Sequence, residues 1–256
     1  MNPLRGWDSL AGFSRNSHTW AHYRDEVEGP SQVQGAVPRS ELARVQSGPR
    51  STRRCDSVVG SGGIHLVLDS TGLSIVGEGE WAAVKQGGRG RRGWKKLHLG
   101  VDRSGMIVAQ ALTDEHLDDA TIGVALIDTV DGDISRVTAD AAYDTLAVYG
   151  AARARGATVV VPPTRTAVVS RRRPRSAARD RTIRRLNEIG RRRWKKEAGY
   201  HQQARVENGF FRYTSIIGDG LRARTPAGQA TEAVLACNVL NRMIELGRPV
   251  SHRISS

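Results

Sequence analysis

Three carboxylates in this chain stand where they could act together. Asp69 follows the apolar run "IHLVL", Asp140 follows "ISRVTA", and Glu207 lies within "GYHQQARVENGFFRYTSIIG" between Arg205 and Arg212. Taken singly, an acid after a strand is a turn former or a helix N-cap, and a helical glutamate is a solvated charge. Taken together they say more. If the two strands are neighbours in one sheet, Asp69 and Asp140 converge at its edge, where open α/β sheets place their sites. A cluster of oxygen donors suits hard divalent cations such as Mg²⁺, with Mn²⁺ as a substitute. Two such ions roughly 3.5 to 4 Å apart stabilise both the attacking and the leaving oxygen of an in-line displacement at phosphorus. The chemistry this points to is phosphoryl transfer on a phosphodiester.

The charge balance agrees with that substrate. The chain of 256 residues carries 39 Lys and Arg against 26 Asp and Glu, a net charge of +13. Such a potential attracts polyanions, nucleic acid ahead of a membrane surface. No apolar run reaches the ~20 residues of a membrane span, and no basic-then-apolar signal peptide begins the chain, so the expectation is a cytoplasmic protein with no membrane partner. Cys55 and Cys237 lie far apart without metal-ligand spacing, which argues against a disulfide framework or a zinc site. No histidine pairs with a Ser or Cys nucleophile in a recognisable arrangement. Asp144 competes with Asp140 for the second position; Asp140 is preferred because it directly follows the apolar strand, whereas Asp144 falls in the next helix.

The elements that must carry these acids can be read in order. Residues 1–62 are rich in Gly, Pro, Ser and Arg, with hydrophobic periodicity of neither 2 nor 3.6, and read as a largely disordered tail. "IHLVLDS" then opens a strand that Asp69 ends. "WKKLHLGVD" (94–102) and "MIVAQALTD" (106–114), linked by Arg103-Ser104-Gly105, read as a hairpin. "DDATIGVALIDTV" (118–130) is a helix capped by Asp118 or Asp119, "ISRVTAD" (134–140) a strand, "YDTLAVYGAARARG" (143–156) a helix and "ATVVVPP" (157–163) a strand. The fold class is therefore α/β, a mixed five-stranded sheet flanked by helices, over residues 63–250.

A basic insertion spans 164–198. Its stretch "TRTAVVSRRRPRSAARDRTIRRLNEIGRRRWKK" holds fourteen Lys or Arg against Asp180 and Glu188, so it reads as a phosphate-binding surface or as a solvated basic loop, with one helix over 177–189. Arg191, Arg192, Lys195 and Lys196 are its DNA-contact candidates. Trp194 between them could stack on an exposed base or pack against the sheet edge. Two closing helices follow, and in the second Val234, Leu235, Val239, Leu240, Met243 and Leu246 recur at near-helical spacing, most simply as core.

The motifs "LVLDSTGLSIVGEGEW", "WKKLHLGVD", "VTADAAYD", "VVVPPTR", "WKKEAGYHQQARVENGFFRY" and "CNVLNRMIELGRP" together resemble the catalytic region of bacterial insertion-sequence transposases of the DDE type, insertion sequence five family. The resemblance covers residues 64–251. It implies a ribonuclease-H-like fold and makes Asp69, Asp140 and Glu207 a metal-binding triad, separated by 71 and 67 residues. It implies cleavage at the element's ends and transfer of the 3′-hydroxyl to target DNA, with Mg²⁺ as cofactor, DNA as partner and a homodimer on paired ends. The alternative is a truncated, non-catalytic DNA-binding remnant of such an enzyme. Residues 1–62 do not resemble the helical end-binding region of this family and read as non-native sequence left by a truncation or frameshift.

Transposases of this kind also carry Tyr-x2-Arg-x3-Glu-x6-Lys on the glutamate helix. Tyr200 and Glu207 fit, but Gln203 and Thr214 stand at the arginine and lysine positions. At about 100° per residue in a regular helix those four positions share one face, on which Tyr200 and Gln203 would meet DNA. Arg212 would join them only if the helix bends.

Overall fold

The first strand starts where the β-branched run begins, and it extends well beyond Asp69. A computed structural model of the chain describes residues 42–43, 63–76, 93–170, 172 and 174–247. All fall in a unit running from Val37 to Ser256. Within it lie strands β1 (Leu42–Ala43), β2 (Ile64–Ile75), β3 (Trp94–Val101), β4 (Ile107–Asp114), β5 (Ile134–Thr138), β6 (Thr158–Val160) and β7 (Gly220–Leu221). The helices are α1 (Asp119–Thr129), α2 (Leu146–Ala154), α3 (Ala177–Ile189), α4 (Arg191–Glu197), α5 (Ala204–Arg212) and α6 (Pro226–Leu246).

The sheet order is β1-β4-β3-β2-β5-β6, with β7 added beside β2. β2, β3 and β4 are antiparallel neighbours, and the β3–β4 link is the expected hairpin, with Asp102 N donating to Met106 O (2.9 Å) and Gly105 at φ 84°. β5 and β6 join in parallel on the far side of β2. Three antiparallel strands followed by parallel additions, with helices on both faces, make a ribonuclease-H-like α/β fold. The five expected strands are β2 to β6. β1 lies inside the stretch read as a tail and pairs with β4 through Leu42–Ala111; the other residues of 1–62 lie outside the described residues.

Alternation along the strands builds two cores. Leu66 and Leu68 of β2 and Ala109 and Ala111 of β4 face α1 and α2, where Ile122, Leu126, Ile127 and Val148 cover them. Val67 and Leu73 of β2 and Leu97, Leu99 and Val101 of β3 face the other way, under Val206 of α5 and Ala233, Ala236, Cys237 and Leu240 of α6.

Two expectations need correction here. Asp69 does not end β2, because β3 pairs with β2 as far as Ser74 and β7 takes up its last residues. The apolar face expected to bury α6 is largely outside: Leu235, Val239, Met243 and Leu246 are 59, 49, 43 and 70 % exposed, while Leu240 is buried. Small residues let α6 approach the sheet. Asn241 then replaces a strand neighbour for β4, accepting from Ile107 N (2.8 Å) and donating to Ile107 O (2.7 Å).

Candidate active site

The strand register sets the first two acids side by side. Val67 is the last β2 residue paired with β5, opposite Thr138. Two residues on, along parallel chains, come Asp69 and Asp140, so the acids stand level where β5 stops and β2 runs on. Just below them the strands are clamped by His65 Nε2 against Thr138 Oγ1, 2.8 Å apart. Burial, and then the cations Arg136 and Arg103, push the His65 imidazole down to about 4, so it is neutral.

Each carboxylate is held by the backbone. Asp69 Oδ1 accepts from Ser70 N (2.8 Å) and Asp140 Oδ1 from Ala142 N (2.9 Å), Asp140 acting as N-cap of the 3₁₀ turn Ala141–Tyr143. Gln203, buried, donates through Nε2 to Leu68 O (3.1 Å) and Asp69 Oδ2 (3.3 Å). Despite these bonds Asp69 is raised from 3.8 to about 6, first by burial and then by the like charges of Asp140 and Glu207. Asp140 is raised as well, by burial and by Asp119. Glu207 sits exposed on α5, beside Val206, which turns inward. Tyr200, half-buried at the start of the same segment, is pushed up to about 12 by burial and by all three acids. The three carboxylates and Tyr200 therefore share one electrostatic neighbourhood.

These residues fit a hard cation in kind. The donors are all oxygen, the charges acting on Asp69 among the described residues are acidic, and among the same residues Gln203 Oε1 is a buried oxygen without a hydrogen-bond partner beside Asp69. As the side chains stand, no three His, Cys, Asp or Glu among the described residues are gathered tightly enough to ligate one ion. Asp69 and Asp140 form the pair, and Glu207 bears on Asp69 more weakly than Asp140 does.

Residues 60–242 match the sequence model of the transposase DDE domain, 71 % of the chain and all three acids among them. The chain belongs to that family. Its members act on DNA. Asp69, Asp140 and Glu207 all lie within the matched residues.

The neighbours of the acids were only partly legible beforehand. Asp144 is committed elsewhere: its carboxylate, fully buried, takes both Arg179 Nε (2.8 Å) and Nη2 (2.7 Å), a bidentate pair that docks α3. The segment expected to be one helix is three pieces, a 3₁₀ turn at Tyr200–Gln203, then α5, then a π turn at Tyr213–Ile217. Tyr200, Gln203, Glu207 and Thr214 therefore do not follow one regular helical pitch. Thr214 Oγ1 bonds back to Phe210 O (3.1 Å), and Arg212 Nη2 donates to Leu240 O on α6 (2.7 Å). Trp194 of α4 is 5 % exposed, so its ring is buried rather than offered for stacking. Arg191 donates to Pro163 O (2.6 Å), and Lys195 Nζ lies 4.6 Å from the Tyr200 ring centre. Arg192, Lys195 and Lys196 are exposed. Asp119 was foreseen only as a helix cap; Asp118 is the cap, and Asp119 Oδ1 accepts from Ser70 Oγ (3.1 Å) and Lys96 Nζ (3.2 Å) on the back of β2. Nothing in the sequence pattern marks that contact, because it depends on β2 continuing past Asp69.

Proposed function

We propose that this chain is a transposase of the insertion sequence five type, cutting DNA at the element's ends and joining the freed 3′-hydroxyl to target DNA by two-metal phosphoryl transfer. Asp69, Asp140 and Glu207 would hold the Mg²⁺ or Mn²⁺. The observation that carries the reading is the level pairing of Asp69 and Asp140 with Asp69 raised to about 6, a half-buried carboxylate on which, among the described residues, the acting charges are those of Asp140 and Glu207. A bound divalent cation supplies Lewis acidity to phosphoryl oxygens and a nucleophile at neutral pH.

The chain's own residues supply placement. Backbone N–H bonds from Ser70 and Ala142 fix one oxygen of each strand acid, so little rearrangement is needed when the site is loaded. Gln203 braces Asp69 from the α5 side, in place of meeting DNA. The Tyr200 hydroxyl, held protonated, can donate to a phosphate oxygen beside the acids. Outside the site, Arg185 of α3 pairs with Glu197 of α4 (2.7 Å) and with Glu188 of its own helix (2.9 Å). Arg181, Arg184, Arg192, Arg193, Lys195 and Lys196 of these two helices are exposed and available as phosphate contacts, which dominate affinity for DNA. Joining two ends calls for two copies, so the active form on DNA is a homodimer.

The test is strand cleavage of labelled DNA carrying the element's terminal inverted repeats, with Mg²⁺. Nicking at the ends, abolished in Asp69→Ala, is the expected result. Salt-sensitive binding with no nicking would identify the DNA-binding remnant instead.

A further inference from the structure

Among the described residues, the part of β2 that carries Asp69 has a strand neighbour on one side only. β5 leaves β2 at Val67, opposite Thr138, and β7 joins it at Ser74. Across the interval Leu68-Asp69-Ser70-Thr71-Gly72-Leu73 the pairing is with β3 alone. Asp, Ser, Thr and Gly in succession favour a turn, so neighbours must impose the extended course. Side chains take over where the second strand is missing. On the α5 face Gln203 Nε2 donates to Leu68 O (3.1 Å) and Asp69 Oδ2 (3.3 Å). On the α1 face Ser70 Oγ donates to Asp119 Oδ1 (3.1 Å).

Asp119 is itself firmly mounted. It opens α1, whose first turn is closed by Asp118 Oδ2 accepting from Thr121 N (2.9 Å) and whose Ile122, Leu126 and Ile127 are fully buried in the core beside Leu66 and Leu68. Lys96 of β3 donates to the same Asp119 Oδ1 (3.2 Å) and to Leu117 O (3.0 Å), so the carboxylate is held from a strand as well as from its own helix. Ser70 carries that hold to the acid beside it. Its backbone pairs opposite His98, its hydroxyl is tied to α1, and its N–H donates to Asp69 Oδ1 (2.8 Å). Both carboxylate oxygens of Asp69 are thereby set, Oδ1 from Ser70 and Oδ2 from Gln203, by anchors on opposite faces of the sheet.

We propose that Asp119 is a positioning residue for Asp69: by fixing the Ser70 hydroxyl it keeps β2 extended through the half-paired interval and holds the Ser70 N–H on Asp69 Oδ1, so that the carboxylate is oriented before a cation arrives. This rests on the reading of Asp69 as a cation-binding acid. Asp119 acts through Ser70 rather than on the cation itself. A plain staple between α1 and the sheet would cost stability and nothing else when cut. Positioning requires a loss of cation affinity that follows the hydrogen bond and not the charge.

Mn²⁺ binding to the full chain, followed by electron paramagnetic resonance without substrate, tests this. Ser70→Ala, which leaves Lys96 paired with Asp119, should weaken binding about 10-fold, the lower end of the range found when a group supporting a metal ligand is removed. Ser70→Thr keeps the hydroxyl and should restore binding. Asp119→Asn keeps an oxygen for Ser70 while removing the charge, and should stay close to the wild type; Asp119→Ala should match Ser70→Ala. The double variant Ser70→Ala/Asp119→Ala should bind no more weakly than either single one, because the two residues form one link. Wild-type affinity in Ser70→Ala, or losses that add in the double variant, overturns the positioning role and leaves Asp119 a staple. Asp119→Asn as weak as Asp119→Ala overturns it too, since the charge would then be what the cation feels. A wild type that binds Mn²⁺ no better than Asp69→Asn defeats the proposed function and the role of Asp119 with it, whereas a loss in Asp69→Asn without one in Ser70→Ala defeats that role alone.

Discussion

Asp140 and Asp144 are four residues apart and have opposite fates. Asp144 is fully buried against a bidentate Arg179, which fastens α3 to the end of the sheet. Asp140, partly open, has a backbone N–H and the repulsion of Asp119, and burial raises its carboxyl rather than leaving it satisfied. The one region uses a charge to hold the molecule together; the other keeps charges together that would otherwise separate. An acid that the fold neutralises is structural, and one that the fold leaves in conflict is available to an external cation.

The comparison can be broken most sharply by removing one acid from each region. Asp140→Asn should eliminate strand cleavage while leaving the protein folded, because a like charge has been taken from a crowded site. Asp144→Ala should instead destabilise by about 3–5 kcal/mol, the cost of leaving Arg179 buried without its partner, as read by denaturant unfolding. If the two variants exchanged behaviour, the division between the regions would be wrong.

The pH dependence of stability sharpens the same contrast. The folded pKa of Asp69 is raised, from 3.8 to about 6, so its contribution to stability is fully present below about pH 4 and is lost as pH rises through about 6. The metal-free protein should therefore lose stability across that window, and Asp69→Asn should remove this part of the loss. Added Mg²⁺ should raise the melting temperature more at pH 7 than at pH 5, because only the ionised carboxylate binds it. A flat response to Mg²⁺ across that range would count against a cation at this position.

The smallest effects belong to surfaces. Arg192→Ala and Lys196→Ala should each weaken DNA binding and reduce the slope of log affinity against log salt by about 1, with no change in folding. On α6, Leu235→Ser should change stability by no more than about 0.5 kcal/mol, whereas Leu240→Ala should cost about 2–5 kcal/mol. Equal costs at the two positions would mean that the outer face of α6 is buried in solution.

That last pair shows where sequence reasoning succeeded and where it stopped. The hairpin was legible because Ser104-Gly105 breaks two alternating runs, and α3 because its periodicity lies between Ser176 and Gly190. The two strand acids were legible because each follows an apolar run. The length of β2 was not, since Asp69-Ser70-Thr71-Gly72 has turn composition and only the pairing with β3 keeps it extended. Nor was the inward face of α6, which carries apolar side chains on two sides. Larger ones mark the exposed side, while Ala233, Ala236 and Cys237 permit the close approach to the sheet. The glutamate segment defeated a single-pitch reading for a similar reason. Its pitch changes twice, and Gln203 is turned inward to Asp69 rather than outward to a phosphate. The Asp119 contact lay beyond reach because it joins residues 49 apart across the back of a strand whose extent was misread.

The central claim is that Asp69 and Asp140 share a cation, and a change of ligand chemistry tests it most directly. A thiolate accepts Mn²⁺ far more readily than Mg²⁺. Asp69→Cys and Asp140→Cys should therefore be inactive in cleavage with Mg²⁺ and regain part of their activity with Mn²⁺, while Asp144→Cys shows no such preference. Activity of the first two variants that is the same with either metal, or absent with both while the wild type cleaves, would contradict the account.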